Sequence, residues 1–429
     1  MKAVIMAGGK GTRIASLNSQ TPKPMIHILN QPILEYQIER LREQGIRDIT
    51  LVIGHLGHVI QNYFADGEGV SPATGKPFGV HISYFVETES LGTAGALYHL
   101  KNQLHDVFLL LNGDIVFDID INRFYRFHRD SGALATIFTH PNNHPEDSGI
   151  LVTKNDGCVE SWLHKENERA FYHNRVNAGL HIISPEVLGC LSEPKKADLD
   201  RDVLEPLIRT GRLYAYDSPE YVKDVGTPDR LASAAADLKA GRVRSRNLSN
   251  KQRAVFLDRD GTINQYVGFL KNIEDFKLLD GAAAAIRLIN ESGYLAIVVT
   301  NQPVIARGEV TQEQLQQIHN KMETLLGQQG AFLDAIYYCP HHPQKGYAGE
   351  RTEYKIECSC RKPKPGMLYE AAEKYNIDLS QSWVVGDGLI DVQTGLNAGC
   401  KVAYIGTEVV ENARSYPSLL ECVKQILDT

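Results

Sequence analysis

Ala254-Val255-Phe256-Leu257-Asp258-Arg259-Asp260-Gly261-Thr262 is an apolar run that ends in a turn carrying two carboxylates, two residues apart. Consecutive apolar residues bounded by charge and glycine read as a buried strand of a parallel sheet rather than a half-exposed, alternating one. A helical pattern over residues 282–291 and a strand pattern over 295–300 come next, so the local order is strand, helix, strand. The chain opens the same way. A strand at 2–6 precedes an amphipathic helix at 31–44, with Ile33, Leu34, Ile38 and Leu41 on one face, and a strand at 49–53. Apolar runs recur at 80–85, 107–111, 133–138 and 180–183. The fold therefore begins twice. The expectation is an α/β protein of two doubly wound, Rossmann-like domains, residues 1–238 and 254–429. Between them, residues 239–253 hold Lys239, Arg242, Arg244, Arg246, Lys251 and Arg253 and no acid, which reads as a basic linker.

Composition agrees with two domains. The 429 residues are far above the ~150 expected of one domain. With 43% hydrophobic and 23% charged residues, the chain is neither disordered nor a disulfide-stapled miniprotein. No apolar run approaches the ~18 residues of a membrane span. The first strand enters a glycine loop without a signal-peptide pattern, so a cytoplasmic location is expected. The formal charge of −7 disfavours a nucleic-acid backbone as partner and leaves small molecules. Assembly state, including a homo-oligomer, stays open. Of the seven cysteines, Cys339, Cys358 and Cys360 cluster near histidines, which suggests metal rather than disulfides.

Ala7-Gly8-Gly9-Lys10-Gly11-Thr12-Arg13 follows the first strand directly. Glycines there let backbone N–H groups converge on an anion, and Arg13 offers a forked charge to phosphate. The spacing fits neither G-x-G-x-x-G nor the P-loop. In Thr21-Pro22-Lys23-Pro24-Met25 the flanking prolines stiffen the backbone that carries Lys23. The composite resembles the sugar-1-phosphate nucleotidyltransferases, and the resemblance continues through 89–96, 111–114, 177–179 and 224–228. It implies that Gly8, Gly9, Gly11 and Thr12 cradle the triphosphate and base. Arg13 would hold the leaving pyrophosphate, and Lys23 the phosphates at the reacting centre. Asp114 and Asp224 would bind Mg²⁺. Glu89, Gly92 and Thr93 would lie in the nucleotide and substrate region, with Asn177 and Gly179 at the sugar. Residues 112–120 are most similar to the heptose-1-phosphate guanylyltransferase branch, which implies GTP. Ile14-Ala15-Ser16-Leu17 departs from the usual continuation of the loop.

Asp258-Arg259-Asp260-Gly261-Thr262 matches D-x-D-G-T and resembles the opening motif of the haloacid-dehalogenase-like phosphatases. Such chemistry needs one carboxylate to attack phosphorus and a second to protonate the leaving oxygen and then activate water. Asp258 would be the nucleophile and Asp260 the acid/base. Asp258, the Asp260 carbonyl and Asp387 would bind Mg²⁺. Thr300 and Asn301 would bind the phosphoryl group, and Lys362 would balance the charge. Cys339, Cys358 and Cys360 with one imidazole make a closed donor set suited to structural zinc. The adjacent His341 and His342 compete for the fourth place, and the resemblance selects His341. The whole pattern is similar to the heptose-1,7-bisphosphate phosphatases. It implies Arg361 at the substrate's retained phosphate and Arg307 as a further contact. Pro303-Val304 and Gly388 depart from the pattern at substrate-contact positions.

The two resemblances describe consecutive steps. Removing the 7-phosphate of a heptose bisphosphate gives heptose 1-phosphate, the substrate class of the first half, so a bifunctional enzyme of GDP-heptose synthesis is expected. The alternatives are a hexose-1-phosphate nucleotidyltransferase joined to a histidinol-phosphate-type phosphatase, and a nucleotide-sensing first half that does not turn over.

Overall fold

A computed structural model describes residues 1–9 and 20–428. Gly11, Thr12 and Arg13 lie outside the described residues. The chain divides into two compact units. The first is residues 1–140, 151–162 and 177–247; the second is 141–150, 163–176 and 248–429.

The sheet of the first unit is built around Lys2–Met6, which pairs in parallel with Asp48–Ile53 and with Phe108–Asn112. His81–Val86 extends it in parallel beyond Asp48–Ile53, whereas Val176–Ile183 runs antiparallel to Phe108–Asn112. The sheet is thus mixed, with a parallel centre. Ala3, Ile5, Leu51, Ile53, Leu109 and Leu111 are fully buried, as continuous apolar runs on a two-sided sheet require. Helix Ile33–Glu43 lays Leu34, Ile38 and Leu41 on that core. A separate antiparallel pair, Ile115–Asp118 with Tyr221–Asp224, stands beside the helix. Its register places Asp224 opposite Ile115, next to Asp114.

The second unit holds an all-parallel sheet of six strands. In spatial order these are Ala335–Cys339, Tyr294–Asn301, Arg253–Leu257, Trp383–Gly386, Lys401–Ile405 and Arg414–Tyr416. Arg253–Leu257 is central, and the chain leaves it first to one side and later to the other. That reversal opens a crevice at the carboxyl ends of the strands, where open α/β sheets bind ligands.

The basic stretch expected as a linker is folded over most of its length. Residues 239–247 belong to the first unit, where Arg242 forks onto Asp237 at 2.6 and 2.8 Å and Asn247 donates to Asp118 at 2.6 Å. Counted along the chain the run has no acid; in the fold, acids from other elements meet it.

Candidate active sites

In the first unit the strand ends Met6-Ala7-Gly8-Gly9 and Asn112-Gly113-Asp114 line one cleft of about 310 Å³, with Lys23, Pro24, Glu87, Gly92, Thr93 and Gly226. Lys23 sits in a single 3-10 turn, Lys23–Met25, whose flanking Pro22 and Pro24 are buried, so its backbone is fixed as the prolines predict. Its ammonium forms an ion pair with Asp114. The turn carrying Asp114 is held from beneath by the fully buried Gln37, which donates to the Asn112 and Ile115 carbonyls at 2.9 and 2.8 Å. A Cβ at Gly113 would stand 2.9 Å from the Met6 carbonyl, so only glycine lets this turn close onto the first strand. Asp224 accepts from the Gly226 amide and pairs with Arg230 at 3.3 Å.

Asn177 and Gly179 lie together, the Gly179 amide donating to Asn177 Oδ1 at 2.9 Å. Thr93 accepts from the Leu199 amide at 2.7 Å. Glu89 is exposed and does not line the cleft. Glu87, two residues earlier at the end of the His81–Val86 strand, does, with one carboxylate oxygen buried and unpartnered. Burial raises the Glu87 carboxyl above its ordinary range. Glu87 stands immediately after the strand, and the backbone's exit there turns it into the cleft, whereas Glu89, two residues on, is exposed.

In the second unit, Asp258 leaves the central strand almost fully buried. Lys362, itself 3% exposed, donates to Asp258 at 2.6 Å, to Asp391 at 2.5 Å and to the Val299 carbonyl at 3.0 Å. Burial pushes the Asp258 carboxyl up to about 7 against the pull of Lys362. Burial also works against the Lys362 charge, but Asp258 and Asp391 together hold it above the ordinary lysine range. Asp258, Asp387 and Asp391 bring carboxylate oxygens within 4.8 Å of one another. In the sequence Asp391 is an acid one turn beyond Gly386-Asp387, and helix Leu389–Ala398 carries it back under the strand end. Gly261, at φ +86°, passes so close to Asp387 that a Cβ would lie 2.0 Å from its Oδ2. Asn301 exchanges hydrogen bonds with the Lys362 backbone at 3.0 and 3.2 Å.

Cys339, His341, Cys358 and Cys360 converge, with sulfur–sulfur distances of 3.2 to 3.6 Å and His341 Nδ1 at 3.4 Å from Cys360 Sγ. Tetrahedral zinc with Zn–S of ~2.3 Å needs edges only slightly longer, about 3.8 Å, so the donor set fits that metal. His342 is outside the set: its Nδ1 accepts from the Gln344 amide at 3.2 Å. Cys339 is the register partner of Asn301, and Cys360 precedes Arg361-Lys362, so these four side chains stand directly beside the crevice that holds Asp258. Arg361 donates to the His341 carbonyl at 3.0 Å. Arg307 lies between the Phe269 and Tyr347 rings, 4.0 and 4.4 Å from their centroids.

A model of the nucleotidyl transferase family matches residues 2–241, and a model of haloacid dehalogenase-like hydrolases matches residues 200–399. The D-glycero-beta-D-manno-heptose-1,7-bisphosphate 7-phosphatase of Haemophilus influenzae is 44% identical over 150 residues, which are 35% of this chain and 79% of that protein. The chain belongs to the nucleotidyl transferases and to the haloacid dehalogenase-like hydrolases. Among solved structures, HddC from Yersinia pseudotuberculosis is 25% identical, covering 55% of this chain and 99% of its own, with a TM-score of 0.47. The D,D-heptose 1,7-bisphosphate phosphatase from B. bronchiseptica, complexed with magnesium and phosphate, is 32% identical over 41% of this chain and 99% of its own, with a TM-score of 0.37. The two family matches and the phosphatase relative make the protein a bifunctional enzyme, with a nucleotidyltransferase followed by a phosphatase.

Proposed function

We propose that the enzyme removes the 7-phosphate of D-glycero-D-manno-heptose 1,7-bisphosphate and then transfers GMP from GTP to the resulting heptose 1-phosphate, releasing pyrophosphate. The observation that carries this reading is the coexistence in one chain of an aspartate clamped by Lys362 beside a Cys₃His set and a Lys23–Asp114 pair at the floor of a nucleotide-sized cleft. The sequence similarity of residues 112–120 to guanylyltransferases favours GTP. Absence of an apolar helix long enough to cross a membrane among the described residues fits a cytoplasmic route between soluble sugar phosphates. The catalytic modules are residues 1–238 and 254–429.

In the phosphatase, an Asp258 oxygen attacks phosphorus, the bond to the sugar oxygen breaks, and Asp260 gives that oxygen a proton. Asp260 next takes a proton from water, whose oxygen attacks the aspartyl phosphate and frees Asp258. Asp258, Asp387, Asp391 and the Asp260 carbonyl offer the hard oxygen donors that Mg²⁺ takes. In the transferase, Asp114 and Asp224 would hold Mg²⁺, and Lys23 meets the charge at the α-phosphorus. The sugar phosphate is already a nucleophile, so positioning and charge neutralisation do most of the work. Bound Mg²⁺ would neutralise phosphate charge at both sites.

Supplying heptose 1,7-bisphosphate with each nucleoside triphosphate in turn should give a single sugar nucleotide, GDP-heptose, identified by mass. Failure with every base, alongside good hydrolysis of histidinol phosphate, would overturn the heptose reading.

Zinc is proposed for Cys339, His341, Cys358 and Cys360, with a structural role. Cys358→Ser should lower bound zinc from about one equivalent per chain to near zero, and phosphatase activity should fall with it while nucleotidyl transfer persists. Elemental analysis beside the two assays checks this. Full phosphatase activity without zinc would remove the metal from the account.

A further inference from the structure

The Asp260 carboxylate is not free in its crevice. Arg259 forks onto it, with Nη2 at 2.9 Å from Oδ1 and 2.8 Å from Oδ2 and Nε at 3.2 Å from Oδ1. Asn264 Nδ2 reaches Oδ1 at 3.1 Å and Gln302 Nε2 reaches Oδ2 at 2.8 Å. Arg259 is wholly buried, and Gln302 and Asn264 nearly so. Behind Arg259, its Nη1 donates to His319 Nε2 at 3.2 Å, from the helix Gln312–Gly327. Burial and then the Arg259 charge hold His319 well below its ordinary range, so its Nε2 is a neutral acceptor. Gln302 also donates to Thr300 Oγ1 at 3.0 Å. An unbroken chain thus runs from His319 through Arg259, Asp260 and Gln302 to Thr300, with every member but the half-buried Asp260 enclosed.

A guanidinium taken fully out of water persists only where a carboxylate and further hydrogen bonds satisfy it. A turn acid needs no such investment, whereas an acid/base that must meet a substrate oxygen within hydrogen-bond reach does. We propose that Arg259, with Gln302 and Asn264, is the positioning frame of the phosphatase acid/base, fixing the direction in which Asp260 presents its carboxyl to the leaving oxygen and then to water. The inference rests on the assignment of Asp260 in the proposed reaction. The frame acts on the step in which the phosphorus–oxygen bond breaks with its electron pair going to the sugar oxygen, which takes the proton from Asp260. It acts again when the carboxylate takes a proton from the attacking water. It does not act on the attack by Asp258 itself.

Leaving-group chemistry separates this role from a merely structural one. A nitrophenolate departs as a stable anion and needs no proton, whereas a sugar alkoxide does. In Arg259→Met and Gln302→Met, single-turnover hydrolysis of heptose 1,7-bisphosphate should fall on the order of 100-fold. The pre-steady-state burst of nitrophenolate from p-nitrophenyl phosphate should persist near one equivalent, with slow turnover after it. Arg259→Lys keeps the charge but not the fork and should recover only part of the loss. Gln302→Met is the milder change and keeps the test alive where Arg259→Met does not fold. Loss of burst and sugar-phosphate hydrolysis in equal measure in folded protein would overturn the proposal, as would loss of neither. Wild-type enzyme that gave the burst but left the heptose bisphosphate untouched would instead refute the substrate reading.

Discussion

Asp258→Asn should abolish release of phosphate from heptose 1,7-bisphosphate, by about 10⁴-fold or more, while leaving transfer from GTP to heptose 1-phosphate intact. The asparagine keeps the size of the side chain and an oxygen for Lys362, which retains Asp391 at 2.5 Å and the Val299 carbonyl at 3.0 Å, so the crevice keeps its shape. What the amide lacks is an anionic oxygen able to attack phosphorus. The mirror variant is Asp114→Ala. It removes the partner of Lys23 and one of the two acids proposed for Mg²⁺, so nucleotidyl transfer should be lost while bisphosphate hydrolysis continues. Fed the bisphosphate and GTP, Asp258→Asn should accumulate nothing and Asp114→Ala should accumulate heptose 1-phosphate. Mixing the two proteins should restore GDP-heptose. A folded single variant that lost both activities would end the account of two independent sites. An Asp114→Ala protein that transferred normally would favour a first half that binds nucleotide by other means.

The strands that carry these residues were legible because buried parallel strands announce themselves as short apolar runs. Lys2–Met6, Asp48–Ile53, Arg253–Leu257 and Tyr294–Asn301 lie within a residue of where those runs end. The Cys339, His341, Cys358 and Cys360 set was legible for another reason: three thiols and an imidazole grouped within a short stretch of chain read as a metal donor set. Side-chain direction was harder to read. Glu87 and Glu89 are equivalent in composition, and only the exit of the strand decides which of them faces the cleft. Asp391 reaches the Lys362 ammonium because a helix starts immediately after Gly388, a matter of backbone geometry with no residue-level signature beyond the acid itself. Arg259 was visible only as a basic residue between two acids, and its burial depends on a helix more than fifty residues further on. The assignment of residues 141–150 and 163–176 to the second unit leaves no mark in composition at all.

Lys362→Met should lower phosphatase turnover by at least about 10³-fold and also change how the second unit's stability depends on pH and on Mg²⁺. The catalytic loss follows from position: the ammonium touches the nucleophile at 2.6 Å and pairs with Asp391 at 2.5 Å. The stability effect follows from burial. Removing the lysine leaves Asp258 and Asp391 enclosed with no cation, a change worth about 3–5 kcal/mol when buried pairs are broken. The variant has two ways to relieve that cost. One is protonation. Asp258 already stands at about 7 in the fold against 3.8 for the free side chain, so the folded protein binds the extra proton between those values. A carboxyl raised in this way adds stability that is present at low pH and declines as pH rises through its folded value. Loss of the lysine pull raises it further, so the melting temperature of metal-free Lys362→Met should fall more steeply above pH 7 than that of the wild type. The other relief is a divalent cation. Mg²⁺ should therefore raise the melting temperature of the variant more than that of the wild type, by the linkage expected of a ligand bound only by the folded state. Thermal unfolding at pH 5.5 and 8, with and without Mg²⁺, checks both signs. A variant as stable as the wild type at pH 8 without metal would mean that Lys362 does not carry the charge balance of Asp258 and Asp391.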